Sequence, residues 1–424
     1  MVEKRKPIPV EKAVDLVMDR KIQGNTEIVS LEQADNRRLA EEIIATHPIP
    51  PFNKSPYDGF AFRSEDTEGA SKDSPAVFEV VERIGAGSRA SRSLKPGQAV
   101  RIMTGAELPQ DADCVAMFEI CNSFTDEGKD YMSLKRKMEP GQNVIATGSE
   151  TAANEKLVEK GTIINPGVKA LLATFGYATV KVVRKPVVGV FATGSELLDV
   201  DQELEPGKIR NSNAYMIASQ IGRAGGEVKY YGKLEDDFQT SYQAVNKAWK
   251  EVDFLVTTGG VSVGDFDLLP DIYKKMEAKV LFNKVGMRPG SVTTAAEKDG
   301  KLLFGLSGNP SACYVGFELF VRPLLRSFLL EEKPYAKMAE AELEIDFPKP
   351  NPFTRFVRSA IDFQGGKIRV KPVGMDKSAV VTSLAFTNAL MILPGSTRGY
   401  QAGDKVSVLL IDNLEGQKSF GTIK

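Results

Sequence analysis

The chain has 424 residues, 42% of them hydrophobic and 26% charged, with a formal net charge of -1. That length exceeds what one hydrophobic core ordinarily supports, so several domains are expected. The near-neutral balance gives no global field for nucleic acid or an acidic membrane, and no apolar run approaches the ~20 residues needed to span a bilayer.

The opening MVEKRKPIPVEKAV has a basic start with no apolar core behind it, so it does not read as a signal peptide. Residues 10–45 carry apolar side chains largely at helical spacing, through LEQADNRRLAEEI, and predict helix with one short strand between. HPIPPFNKSPYDGFAF holds four prolines, which excludes a regular helix and predicts a stiff extended crossing between domains. Strand-like pieces separated by turns follow: AVFEVVERIGAG, PGQAVRIMTGAELP, DCVAMFEICNSF and YMSLKRKMEPGQNVI. They predict a small β domain. Residues 147–180 then carry small helices and a β segment.

From VVGVFAT onward, strands and helices alternate: EVKYYGKL, DFLVTT and LLFGLS are strands, with helices between them and a long apolar helix opened by Pro310. Such alternation argues for a parallel sheet with helices on both faces. After Pro334 the pattern reverts to period two, in AELEIDF, RFVRSAIDF, KIRVKPVG, ALMILPG and KVSVLLID. The predicted architecture is a multidomain α/β chain. A doubly wound domain spans 183–332. An N-terminal helical and extended domain is split between 1–50 and 145–182 and encloses a β domain at 51–144. A C-terminal β domain of barrel-like character spans 333–424.

Three segments of the alternating region end a strand in glycine and polar residues: VVGVFATGSEL, DFLVTTGGVSVGDFD and LLFGLSGNPSA. Ligands of open α/β sheets bind beyond the strands' carboxyl ends, where glycine lets them approach the backbone. Glu196 and the pair Asp265 and Asp267 place acid there. Asn309 and Pro310 suit a helix start, whose free amides favour an oxyanion. Asn211, Ser212 and Asn213 read as capping residues for another helix. Lys284, Arg288 and Ser291, in FNKVGMRPGSVTT, offer two cations and a hydroxyl for a small oxyanion. Arg355 and Arg358 are three apart on a strand, so at most one is expected in a given pocket.

The three cysteines, Cys114, Cys121 and Cys313, are widely spaced and lack zinc-ligand spacing, which suggests a reducing cytoplasm without a disulfide framework. With His47 as the lone histidine, chemistry must rest on carboxylates, basic residues, hydroxyls, backbone amides or a hard metal.

Taken in order, the motifs resemble the molybdopterin molybdenumtransferases, the molybdenum insertases akin to the E domain of gephyrin. PPFNKSPYDGFAFRSED, GQAVRIMTGAELPQDADCVAMFE, GVFATGSELLD, GKIRNSN, TTGGVSVGDFD and LSGNPSA carry the likeness over nearly the whole chain. The resemblance implies that residues 183–332 form the molybdopterin-binding domain and that the chain works as a homodimer. The site would lie between the sheet domain of one subunit and the N-terminal or β segments of its partner. It implies molybdenum insertion into adenylylated molybdopterin, with hydrolysis of its pyrophosphate-type bond and release of AMP. Molybdopterin adenylyltransferase would act upstream, and apo-molybdoenzymes or a carrier downstream. Asp58, Thr104, Glu196, Asp236 and Asp267 match the family's functional residues, with Asp236 and Asp267 as the implied Mg²⁺ ligands. Gly194, Ser195, Ser212, Gly259, Gly260, Ser262, Gly308, Asn309 and Pro310 would bind the pterin substrate. Arg288, Ser291, Arg358 and Ser378 would bind molybdate. The family usually shows Lys-Pro-Gly-Lys, whereas this chain has Arg288-Pro289-Gly290-Ser291, one cation fewer. Lys284 is the expected source of the lost charge. The departure also opens the alternative of a related enzyme that inserts tungsten or has lost activity. A scaffolding role like that of gephyrin would call for an extended linker and a second fused domain, neither of which occurs within the 424 residues.

Overall fold

A computed structural model describes residues 6–261 and 268–411. They fall into two compact units, residues 28–181 and the flanking chain up to 27 and from 182 onward.

The smaller unit contains a six-stranded sheet. Its order is Cys114–Met117, Gly59–Phe62, Gln98–Ile102, Ala76–Ile84, Lys129–Leu134, Cys121–Asp126. Alternate residues feed two cores: Phe60, Phe62, Phe78 and Met132 on one side, Ala61, Val100, Ile102 and Val115 on the other. The proline-rich segment is therefore more than a crossing, because its end is an interior strand with Phe60 set between Arg101 and Ala116. Gly59 permits that pairing, since a Cβ there would lie 2.1 Å from the Ala116 carbonyl oxygen.

Of the helix predicted over 10–45 only Val10–Met18 forms, and the short strand expected within it is Thr26–Ser30. Leu31–Ala34 forms a single 3₁₀ turn, and Asn36 takes a φ of 59°. Leu39 and Ala40 donate their amides to the carbonyls of Thr162 and Lys181. Ala34, Leu39, Ala40 and Ile43 are all buried, so the apolar spacing serves an irregular extended chain as well as it would a helix.

The larger unit is built on a central sheet of β1 (Val187–Thr193), β2 (Glu227–Leu234), β3 (Phe254–Thr258), β4 (Lys279–Phe282), β5 (Thr294–Lys298) and β6 (Lys301–Leu306). The order is β2-β1-β3-β6-β5-β4. The β2-β1-β3-β6 portion is parallel, and β5 and β4 add antiparallel pairings. Helices α1 (Asn213–Arg223) and α4 (Pro310–Gly316) pack with Val188, Val190, Phe254, Val256, Leu302 and Phe304. Helices α2 (Phe238–Glu251) and α3 (Leu269–Lys275) pack with Phe191, Leu255 and Leu303. Neighbouring residues of each strand thus enter opposite cores, which explains the unbroken apolar runs. Phe254 and Phe304 are fully buried, and each such side chain contributes about 1.5–3 kcal/mol.

The C-terminal strands close into a barrel. Thr354–Gln364 pairs with Lys367–Pro372, then Met338–Leu343, Lys405–Leu410 and Ala389–Leu393 follow, and the last returns to Thr354–Gln364. The chain between β4 and β5 reaches this barrel: Met287–Arg288 pairs in parallel with its longest strand, setting Arg288 opposite Arg355. That excursion brings barrel residues to the carboxyl edge of the central sheet.

Candidate functional site

The carboxyl ends of β1, β3 and β6 meet at glycines. Gly194, Gly259 and Gly260 have φ values of 133°, 100° and 67°, in the left-handed region that side-chain-bearing residues rarely adopt. A Cβ on Gly259 would sit 2.5 Å from the Thr193 hydroxyl oxygen. The Gly259 amide instead donates to the Leu306 carbonyl at 2.8 Å, closing the three strand ends together. Asn213, at the start of α1, donates from Nδ2 to the Gly308 carbonyl at 2.7 Å and ties a fourth element to the same point.

These ends enclose a cavity of about 570 Å³ lined by Gly194, Ser195, Glu196, Asp236, Gly259, Gly260, Gly308 and Asn309, among others. Glu235, Ser241 and Ser307 also line it, though sequence reasoning assigned them no site role. Their signal was faint: Glu235 stands in a run of three acids, Glu235-Asp236-Asp237. The structure separates the three. Asp237 caps α2, accepting from the Thr240 amide at 2.8 Å and its hydroxyl at 2.6 Å. Those bonds hold its carboxyl below the usual range. Glu235 and Asp236 face the cavity, and the Ser241 hydroxyl fixes the turn by donating to the Glu235 carbonyl at 2.7 Å.

A second cavity, of about 320 Å³, adjoins the first through Val292, Ser307 and Asn309, which line both. Arg288, Ser291, Arg358 and Ser378 line it, together with Arg355, Asp376 and Lys377. Both arginines of the barrel strand are present, contrary to the expectation of one. Their long side chains converge on a single loop. Arg355 donates to Asp376 Oδ2 at 2.5 Å, and Arg358 donates to the Met375 and Lys377 carbonyls at 2.7 and 3.2 Å. Arg358 is 3% exposed, and its Nε–H is buried with no acceptor. Burial lowers the pKa of this guanidinium, against the opposing pull of Asp376. A buried N–H without a partner favours any acceptor that enters.

The start of α4 is less open than its sequence suggests. The Ser311 amide donates to the Ser378 carbonyl at 3.0 Å, and the Ser311 hydroxyl to the Val380 carbonyl at 2.6 Å. Asn309 stands at the N-cap position, yet its side chain makes no capping bond. Pro310 begins the helix, and Ser212 precedes α1; neither lines either cavity. Lys284 also lines neither; its carbonyl accepts from the Ile8 amide at 3.1 Å. Ser262, Asp265 and Asp267 lie outside the described residues.

Asp58 and Thr104 belong to the smaller unit. Asp58 Oδ1 accepts from the Thr104 amide at 2.7 Å and from its hydroxyl at 2.8 Å. The amide bond is the main reason its carboxyl lies below the ordinary value, and the Thr104 hydroxyl adds to it. His47 contacts the Thr46 hydroxyl and the Phe175 ring and lines neither cavity. The three cysteines are free, and burial raises the thiols of Cys114 and Cys313 far above their ordinary value.

Comparison with known proteins places the chain in a family. Residues 8–176 match the MoeA N-terminal region (domain I and II), 189–327 a "Probable molybdopterin binding domain", and 340–411 the MoeA C-terminal region (domain IV). A molybdopterin molybdenumtransferase of Bacillus subtilis is 58% identical over 99% of this chain and 97% of its own. One from Staphylococcus aureus is 48% identical over 97% and 98%. A crystal structure of a Pyrococcus molybdopterin biosynthesis moeA protein superposes with a TM-score of 0.86 at 30% identity, covering 96% of this chain and 100% of that one. The chain therefore belongs to the molybdopterin molybdenumtransferase family.

Proposed function

We propose that this chain inserts molybdenum into molybdopterin during molybdenum cofactor biosynthesis, and that the pterin arrives adenylylated and leaves AMP behind. The observation that carries the reading is the pair of adjoining cavities that share Ser307 and Asn309. One is lined by glycines, hydroxyls and acids, the other by cations and hydroxyls. A substrate with a phosphoanhydride and a small tetrahedral oxyanion would have complementary places side by side. The first cavity would receive the pterin dinucleotide, its backbone approach opened by Gly194, Gly259, Gly260 and Gly308. Arg288, Ser291, Arg358 and Ser378 would receive molybdate as the second substrate.

The donor set fits Mg²⁺. This ion keeps several waters and takes one or two carboxylates with substrate phosphates, so no cage of protein ligands is required. Among the described residues no cluster of three ligating side chains occurs, but Asp236 faces the cavity and its carboxylate makes no hydrogen bond or ion pair there. Asp236 and Asp267 would hold the ion, and bound Mg²⁺ would neutralise charge developing on the phosphates. Glu196 would orient water or the pterin's amino groups at the mouth. Asp58 and Thr104 complete the proposed functional set. We also propose a cytoplasmic homodimer, fed by molybdopterin adenylyltransferase and delivering to apo-molybdoenzymes or a carrier. No described helix is long and apolar enough to cross a membrane.

Purified protein mixed with adenylylated molybdopterin, Mg²⁺ and molybdate should yield cofactor that activates an apo-molybdoenzyme. An apoenzyme left inactive would refute the reading, and activation of a tungsten-dependent acceptor by tungstate alone would replace its metal. Asp267→Ala should abolish turnover with an unchanged melting temperature. Light scattering should give twice the chain mass at micromolar concentration.

A further inference from the structure

The oxyanion cavity holds four cationic side chains, and they are not equivalent. Arg355 is committed, with Nε donating to Asn351 Oδ1 at 2.7 Å and Nη1 to Asp376 at 2.5 Å. Arg358 donates from each Nη atom to a loop carbonyl, and its buried Nε–H has no acceptor. Arg288 and Lys377 make no ion pair among the described residues. Asp376, the acid beside Lys377, is already held by Arg355 and by Lys349 at 3.4 Å, so it does not capture Lys377.

The backbone at Lys377 is pinned. Its amide donates to the Met375 carbonyl at 2.9 Å, and its carbonyl accepts from Arg358. The next residue, Ser378, accepts from the Ser311 amide, which anchors the loop to α4. Lys377 and the Arg288-Pro289-Gly290-Ser291 turn line the same small cavity, so a cation on a pinned backbone stands beside any anion held there. Its ammonium is a compact point charge on a flexible stem, able to reach a small tetrahedral anion without a fixed geometry.

We propose that Lys377 is the specificity-determining cation of this cavity, supplying the charge that Ser291 does not. The charge comes from the barrel side of the cavity, and Lys284, which lines neither cavity, does not provide it. The inference rests on the oxyanion reading of the cavity, and its test separates the two. Molybdate binding would be measured calorimetrically on the full chain, with tungstate and sulfate as comparison anions. Lys377→Met should weaken molybdate binding about tenfold, the loss of one charge-assisted contact, with an unchanged melting temperature. Lys377→Arg should retain most of the affinity. Adding Ser291→Lys to Lys377→Met should restore it, because charge on either wall serves the same anion. Undiminished molybdate affinity in Lys377→Met, or a loss carried by Lys284→Met instead, would overturn the assignment of Lys377 while leaving the oxyanion site standing. Absence of molybdate binding by the unmodified chain would overturn the site itself.

Discussion

The two edges of the central sheet use the same chemistry in opposite states. At the amino edge, Asp253 stands just before β3. Arg184 grips it with two hydrogen bonds, of 2.9 and 2.8 Å, and the Val187 amide donates to it at 2.8 Å. Each oxygen is engaged, so this carboxylate holds the starts of β1 and β3 together. At the carboxyl edge, Glu196 and Asp236 face a cavity and make no side-chain hydrogen bond or ion pair among the described residues. A sheet that spends one acid on structure leaves others available at the end where ligands bind.

The largest expected effect separates these roles. Asp236→Ala should lower cofactor formation by about 100-fold or more, the scale of losing one charge-stabilising group in a closed site, with little change in melting temperature. Asp253→Ala should do the reverse, costing about 1–3 kcal/mol by leaving Arg184 half-buried and unpaired while turnover persists. Steady-state activity and thermal melts on both variants would check the pair, and equal melting losses would erase the distinction between the edges.

Next in size is Gly259→Ala. Its φ of 100° and the 2.5 Å approach to the Thr193 hydroxyl predict about 1–3 kcal/mol of destabilisation, measurable by urea titration. An unchanged midpoint would mean that the strand ends are not packed as described.

The smallest effect concerns Asp58. Its carboxyl is held below the ordinary value of 3.8. A lowered folded-state pKa means that the Asp58 to Thr104 bonds add stability above about pH 4, and that this contribution fades as pH falls through the folded value. Nuclear magnetic resonance titration of the Asp58 carboxyl carbon should therefore show a midpoint below 3.8. A midpoint at or above it would remove Thr104 as its partner.

Much of this was legible in the sequence because burial dictates pattern. The apolar runs of β1, β3 and β6 matched a sheet covered on both faces, and their glycines marked the edge where the first cavity opens. The second cavity was harder to see. Arg355 and Arg358 read as facing apart because strand period describes Cβ directions, not where a long guanidinium ends. Lys377 was hidden because its role follows from a loop that crosses back to α4, a contact between residues 311 and 378 that local spacing does not encode. Residues 31–44 misled in the opposite direction, since the same buried alanines and leucines satisfy a helix or an irregular extended chain.

The most direct test is a single-turnover reaction with adenylylated molybdopterin, Mg²⁺ and molybdate, following AMP and pterin-bound molybdenum together. The account predicts one AMP released per molybdenum inserted, with both lost in Asp236→Ala and both kept in Asp253→Ala. Molybdenum insertion without AMP release, or full turnover in Asp236→Ala, would contradict it.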